Sequence, residues 1–185
     1  QRDFTELSGQ AAYGWFPETA TSVRKVTPDL TGTVALRNAD RSVQSARVEH
    51  RWDVEFDAGR SVGAFAELRV EDLRRALSFP EGTTVPVGRY TFSRVGVSHG
   101  PPEGQLLRTE ATTSVGTFFD GWRWQAEVSP TWNPSPHLEL GGTYQANLVR
   151  FPDRDQRFVA HVARSRVRVA LNKKVSTNAF LQYNS

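Results

Sequence analysis

One short stretch of the chain has the residue types of a hydrolase nucleophile. Residues 96–100 read Gly-Val-Ser-His-Gly, which fits the G-x-S-x-G pattern of a serine-hydrolase elbow. That chemistry needs a turn from a strand into a helix, but Pro101 and Pro102 follow and another strand-like segment comes next. The sequence therefore predicts a turn near a strand end here, and not a catalytic serine.

The other titratable residues also fall short of a metal or catalytic motif. Asp153-Arg154-Asp155 lacks the glycine and the downstream carboxylate of a calcium loop. Asp53 and Glu55 have a spacing that could place two carboxylates on one strand face, as in glycosidases, but a wall of mixed charges predicts the same spacing. Metal-ligand spacing is equally lacking among the four histidines, which are His50, His99, His137 and His161. We therefore predict no enzymatic activity, no cofactor and no bound metal.

Charged side chains recur instead at every second position, which is the side-chain period of a β-strand. On the interpretation favoured below, this charged face lines the water-filled interior, or lumen, of a β-barrel. Thirteen residues are predicted to face the lumen: Glu49, Arg51, Asp53, Glu55, Glu67, Arg69, Arg108, Glu110, Arg123, Glu127, Arg164, Arg166 and Arg168.

The sharpest group on this face is the arginine ladder, defined here as Arg164, Arg166 and Arg168. Like charges two residues apart on a strand repel, so neighbouring strands must offset them, and Glu139 is one candidate partner. Two interpretations remain open. The ladder belongs to a structural charge network that fills the lumen, or it forms an anion-attracting strip in a channel.

The elements that position these charges are long strands. Residues 122–132 alternate strictly between apolar and polar side chains, over the ~9–11 residues that a membrane-spanning strand needs. Similar alternation recurs along the chain and predicts no helix. Segment 88–99 alternates poorly, which suggests a β-bulge. The ten predicted strands are 3–16, 27–38, 43–57, 60–71, 88–99, 104–118, 120–132, 136–150, 156–171 and 174–184.

Alternation alone does not separate a membrane barrel from a soluble β-sandwich, because each has one apolar and one polar face per strand. Strand length, an up-and-down order and aromatic residues near strand ends favour the barrel. The predicted aromatic girdle at the two membrane surfaces comprises Trp15, Phe56, Phe118, Phe119, Trp122 and Trp132.

Composition narrows the class of protein to which this chain can belong. The 185 residues include 23 basic and 20 acidic ones, with no run of more than two lysines or arginines, so we predict no nucleic-acid partner. The absence of an apolar run of ~18 residues excludes a transmembrane helix. Mean hydropathy is −0.50. This low value is compatible with a membrane barrel, because only every second residue of its strands has to be apolar. Cysteine is absent, so there is no disulfide framework.

Several short segments carry a resemblance to a known family. They are Arg2–Phe4 with Tyr13–Pro17, Gly116–Gly121, Trp132–Leu138, Tyr144–Asn147 and Phe180–Asn184. In order and spacing they resemble a bacterial family of uncharacterised outer-membrane β-barrels whose members carry an N-terminal carbohydrate-binding module of the family-nine sandwich type. The resemblance covers essentially the whole chain and implies the C-terminal part of such a barrel. It implies no catalytic residues, and any carbohydrate would bind to the module outside this chain.

These observations lead to one expected architecture and one expected role. Residues 1–185 are predicted to form a single, incomplete β-barrel segment: an antiparallel up-and-down meander of about ten long strands, with flanking strands and the N-terminal module missing. The expected location is the bacterial outer membrane, with membrane lipid as the partner. The expected role is a membrane-embedded wall for structure, transport or surface display. The alternative is a soluble carbohydrate-binding or scaffold β-domain.

Overall fold

Alternating apolar and polar side chains give this chain long β-strands. The computed structural model describes residues 3–18, 22–79, 84–172 and 174–185. The long strands are β1 (Phe4–Ala12), β2 (Val23–Arg37), β3 (Val43–Phe56), β4 (Ser61–Leu73), β7 (Gly88–Gly100), β8 (Leu107–Phe118), β9 (Gly121–Ser135), β10 (Leu138–Phe151), β11 (Gln156–Asn172) and β12 (Val175–Asn184). Two short strands, β5 (Leu77–Ser78) and β6 (Thr84–Val85), lie between β4 and β7.

The ten long strands form one antiparallel sheet in the order β1-β2-β3-β4-β7-β8-β9-β10-β11-β12. Each strand pairs with the next long strand along the chain, so the predicted all-β meander of ten strands is confirmed. In the part of the chain that the structure describes, β1 and β12 are the two edges of this sheet, and the sheet does not close into a barrel. Strands β5 and β6 pair with each other as a separate hairpin.

Irregular pairing occurs elsewhere than the sequence indicated. Strand β7 pairs with β4 in continuous register from Gly88 to Gly100, so the bulge expected within 88–99 is not there. The register shifts instead between β2 and β3, between β9 and β10 near Leu138, and between β11 and β12 near Ala170. The poor alternation of β7 has another cause, which is the packing of Tyr90 and Phe92 described below.

The continuous register gives the sheet two chemically different faces. One row of direct cross-strand partners, from β2 to β11, reads Leu30, His50, Ala66, Val95, Val115, Trp124, Leu148 and Val159. The neighbouring row, on the other face, reads Thr31, Glu49, Glu67, Arg94, Gly116, Arg123, Val149 and Phe158. We call these the apolar face and the polar face.

Burial is greater on the polar face than on the apolar face. Glu67 and Ser114 on the polar face are each 5% exposed. Leu68, the chain neighbour of Glu67 on the apolar face, is 60% exposed. Because a single sheet buries side chains on the face around which it curls, this difference places the polar face on the inner side of the curve.

The hydrophobic core cluster also lies on the polar side. It consists of Val85, Phe92, Phe119, Val149, Phe151 and Phe158, with Leu73, Phe79, Tyr90, Phe118 and Ala160 packed against it. Strand β7 alternates poorly because Tyr90 and Phe92 join this cluster, whereas Arg94 further along the same face joins the charges. No helix in the described ranges is long and apolar enough to cross a membrane.

Candidate functional site: the polar face of the sheet

The polar face gathers all thirteen charged residues that the sequence singled out. Glu49 pairs with Glu67 and Arg51 with Phe65, while Asp53 and Glu55 follow along β3. Register and alternation place the rest on the same face: Arg69 on β4, Arg108 and Glu110 on β8, Arg123 and Glu127 on β9, and Arg164, Arg166 and Arg168 on β11. That this face lines a lumen stays a prediction.

A buried carboxylate organises the charges on β3, β4 and β7. Glu67 lies within 2.5 Å of Arg47 and 3.0 Å of Arg94, measured between side-chain nitrogen and oxygen. Arg47 also contacts Glu49 at 2.5 Å, and Arg51 reaches the other oxygen of Glu49 at 3.4 Å. Because like-charged Glu49 and Glu67 are direct cross-strand partners, the arginines offset a repulsion that the strand pairing imposes.

Phe65 gives this charge network an apolar base. The guanidinium groups of Arg51 and Arg94 lie 4.8 and 5.1 Å from the centre of its ring, within the range of cation–π contacts. The ring occupies the space beside Gly96, where an added Cβ would lie 2.5 Å from it. Packing against the Phe65 ring therefore explains why Gly96, the first glycine of the hydrolase-like pattern, is a glycine.

The rest of that pattern is part of a continuous strand. Residues 96–100 lie within β7, and Ser98 and His99 point to opposite faces because neighbouring side chains alternate. Arg51 donates a long hydrogen bond of 3.5 Å to the Ser98 hydroxyl. The geometry therefore does not bring Ser98 and His99 together as a nucleophile and its base.

The arginine ladder lies at the other side of the polar face, on β11. Arg166 contacts Glu139 at 3.0 Å and Arg168 contacts the same carboxylate oxygen at 3.6 Å. Arg164 donates to the neutral amide oxygen of Gln182 at 3.3 Å. Glu139 is thus the partner that the sequence suggested, and within the described residues it is the carboxylate that forms ion pairs with the ladder.

One end of the polar face is filled by the hydrophobic cluster. The β5–β6 hairpin contributes Val85, which is fully buried, and Phe79 stacks on Phe158 of β11 with ring centres 5.4 Å apart. Arg154 in the turn after β10 donates hydrogen bonds to the Thr84 carbonyl and to Asp120. These contacts hold the hairpin against the inner face of strands β7 to β11.

Two of the predicted girdle aromatics belong to this cluster, which corrects their assignment. Phe118 is two residues beyond Gly116 on β8, so it lies on the polar face, and its ring centre is 4.7 Å from that of Phe119. Phe119 is 9% exposed and adopts a positive φ of 54° in the turn before Gly121. Both rings point inward, because Phe79 after β5 and Phe92 of β7 supply aromatic partners for both of them there.

The other four girdle residues lie on the apolar face. Trp15 bridges Val26, Phe56 continues β3 beyond Val54, and Trp122 and Trp132 share the phase of Trp124 on β9. Trp15 and Trp132 are about half exposed. With Trp52 and Trp124, this accounts for all five tryptophans of the chain, and every one lies on the apolar face.

Two hollows open on the polar face away from the aromatic cluster. The larger, of about 710 Å³, lies at the end where the β3–β4 and β7–β8 turns meet, and Glu55, Arg108 and Glu110 line it. The smaller, of about 240 Å³, lies between β9, β10 and β11 beside the arginine ladder. The described residues include no group of three or more His, Cys, Asp or Glu that could hold a metal ion.

Sequence reasoning missed the packing role of the aromatic residues on the polar face and the pairing role of Arg47 and Arg94. The signal for the former is present: Phe65 and Phe92 interrupt an otherwise polar phase of their strands, and such an interruption marks a contact on the inner face. The comparisons add no assignment, since no family model, no curated protein and no solved structure matches this chain.

Proposed function

We propose that this chain forms part of the wall of a bacterial outer-membrane β-barrel, with its apolar face in contact with lipid and its polar face directed to the aqueous interior. The role is structural, in transport or surface display, without catalysis. The observation that carries the proposal is the exposure of large apolar side chains along a ten-stranded sheet whose charged residues lie on the inner face.

The apolar face is extensive enough to need a covering. Its exposed side chains include Leu30, Val48, Trp52, Leu68, Val95, Val97, Val115, Trp124, Val128, Val159, Val167 and Leu181. Soluble monomers seldom expose contiguous apolar patches above a few hundred Å². A lipid bilayer removes this surface from water without a second protein layer.

Strand length and the positions of the tryptophans support the same role. The ten long strands contain 9 to 17 residues. This is long enough to cross a bilayer, because a tilted transmembrane strand needs about 9–11 residues. The tryptophans all lie on the face assigned to lipid, where an indole has an apolar environment with water close to its N–H group. In the proposed wall, further strands extend the two open edges, because β1 pairs only with β2 and β12 only with β11 among the described strands.

The proposal is tested with the full-length protein by membrane fractionation and tryptophan fluorescence. In bilayers, lipids brominated on the acyl chain should quench the emission of this chain's five tryptophans, because all five indoles lie on the face assigned to lipid, whereas aqueous iodide should quench these indoles little. A protein that stays monomeric without detergent, does not fractionate with membranes and is quenched by iodide would instead be the soluble carbohydrate-binding or scaffold domain.

A further inference from the structure

The smaller hollow beside the arginine ladder has the features of a binding site. We call it the arginine hollow and define it by Arg164, Arg166, Ser129, Thr131, Thr143 and Phe180. Its volume of about 240 Å³ suits a small organic molecule. Side chains from five consecutive strands, β8 to β12, meet there.

Positive charge exceeds negative charge around this hollow. Arg166 and Arg168 share the carboxylate of Glu139, while Arg164 has a neutral partner, Gln182. Glu110 also lines the hollow, so its lining holds two guanidinium groups, those of Arg164 and Arg166, and one carboxylate, while Arg168 and Glu139 lie outside it. Both Arg166 and Arg168 are about half exposed, which leaves donor groups available to an anion.

A glycine keeps the space in front of Arg166 open. Gly141 is the direct cross-strand partner of both Arg166 and Thr131. A Cβ at this glycine would lie 3.6 Å from the Arg166 guanidinium, so any larger side chain would occupy the hollow. The hydroxyls of Ser129 and Thr143 contact each other at 3.2 Å on the adjoining wall.

Phe180 supplies an apolar surface where the surroundings are polar. It is the direct partner of Arg166 on β12, which places its ring on the polar face, and it is 64% exposed. Its neighbours in that phase of β12 are Asn178 and Gln182. An exposed ring beside unbalanced arginines can hold the apolar body of an anion that the arginines bind by its charge.

We propose that the arginine hollow binds small organic carboxylates with a flat apolar body. The carboxylate accepts hydrogen bonds from Arg164 and Arg166, and the apolar body lies against Phe180. This inference deepens the proposed function, on which it rests for a polar face that is open to water and solutes.

The test uses 4-fluorobenzoate as the probe and ¹⁹F NMR as the readout, with the full-length protein in detergent micelles. Wild type should broaden the fluorine signal, and unlabelled benzoate should compete better than acetate. R166Q should weaken binding at least tenfold, and F180A should remove the preference for benzoate over acetate. The matched control is R75Q, which removes one exposed positive charge in the segment after β4 and should bind as wild type does.

Three results would overturn the proposal: no broadening with wild type, equal binding by R166Q, or equal competition by acetate and benzoate. The last result would leave a general anion strip. Circular dichroism and the heat-induced mobility shift of each variant show whether it is folded. Failure of this inference is distinguishable from failure of the proposed function, because the bromolipid experiment reports insertion regardless of benzoate binding, and benzoate binding is measured without a bilayer.

Discussion

At the scale of single residues, Glu67 is the charged side chain whose ion pairs should matter most for stability. It is 5% exposed and forms ion pairs with Arg47 and Arg94, so both arginines offset the cost of burying this carboxylate. We predict that E67Q lowers the free energy of unfolding by about 1.5–3 kcal/mol, the range for hydrogen bonds to charged groups. Urea unfolding followed by tryptophan fluorescence measures this.

The matched control for Glu67 is Glu71 on the same strand and face. Glu71 is more exposed and its contact with Arg69 is longer, at 3.5 Å. E71Q should therefore lower the free energy of unfolding by less than about 1 kcal/mol. Equal losses for the two variants would contradict the view that burial, and not pairing alone, makes Glu67 important.

A second residue-scale prediction concerns pH and the turn between β2 and β3. A hydrogen bond from Arg74, followed by bonds from the Ser42 hydroxyl and backbone N–H, holds the pKa of Asp40 well below its usual range. Because the pKa is lowered on folding, the pairing stabilises the fold above the ordinary aspartate pKa of about 3.9 and is lost only as pH falls through the lower folded value. Carboxyl NMR titration should find Asp40 still ionised at pH 3.5.

The variant R74Q isolates the cause of that shift. Removing the Arg74 hydrogen bond should raise the pKa of Asp40 toward its ordinary value, because only the Ser42 hydrogen bonds remain. R75Q removes the neighbouring charge and should leave the titration unchanged. An Asp40 that titrates near pH 4 in the wild-type protein would show that Arg74 does not hold it in solution.

At the scale of elements, Val85 anchors the β5–β6 hairpin to the sheet through the aromatic cluster. Val85 is fully buried in the aromatic cluster, whereas Val87 two residues later is 60% exposed. We predict that V85A destabilises the docked hairpin by about 1.5–3 kcal/mol through lost burial and the cavity left behind. Hydrogen exchange of the hairpin amides should accelerate accordingly.

V87A removes the same atoms from the same segment and serves as the control. Substitutions of exposed residues usually change the free energy of unfolding by no more than about 0.5 kcal/mol. The hairpin amides of V87A should therefore exchange their hydrogens at the wild-type rate. A V85A protein with unchanged exchange would mean that the hairpin is held by Arg154 and its partners and not by the cluster.

The elements also show how far sequence reasoning reaches. The ten long strands were predictable because period-two alternation persists over many residues, as in 122–132 within β9. The β5–β6 hairpin was not, since strands of two residues are too short for any periodicity. The same limit explains Phe118 and Phe119: residue type marks an aromatic near a strand end, but the direction of its ring depends on a hairpin that the pattern does not reveal.

The charged residues of the candidate site were predictable as a set but not in their pairing. Alternation put Arg51 and Glu67 in one phase of their strands, and register then made Glu49 and Glu67 direct partners. Register depends on turn geometry and bulges, such as the shifts that flank β2 and β3, which the sequence did not locate. The bridging roles of Arg47 and Arg94 follow from that register and therefore emerged only with the structure.

At the scale of the whole molecule, the sheet has its hydrophobic cluster and its charges on one side and a large apolar surface on the other. In a soluble β-protein the apolar face forms the core and the charges are exposed to water. Here Leu68 and Val95 are more exposed than Glu67 and Phe92. The arrangement is consistent across strands β2 to β11, so a single local rearrangement would not reverse it.

The sharpest whole-molecule prediction places one arginine on each face. Val128 lies at the middle of β9 on the apolar face, and its cross-strand partner Ala111 precedes Thr112, which lies on the polar face opposite Glu127. V128R should lower the free energy of unfolding in bilayers by ~2–4 kcal/mol, the cost of an arginine facing lipid at mid-depth. T112R should change it by less than about 1 kcal/mol, because its charge meets water and Glu127. Urea titration of both variants in lipid vesicles measures the difference, and the apolar face would not be the lipid face if V128R folded as well as T112R.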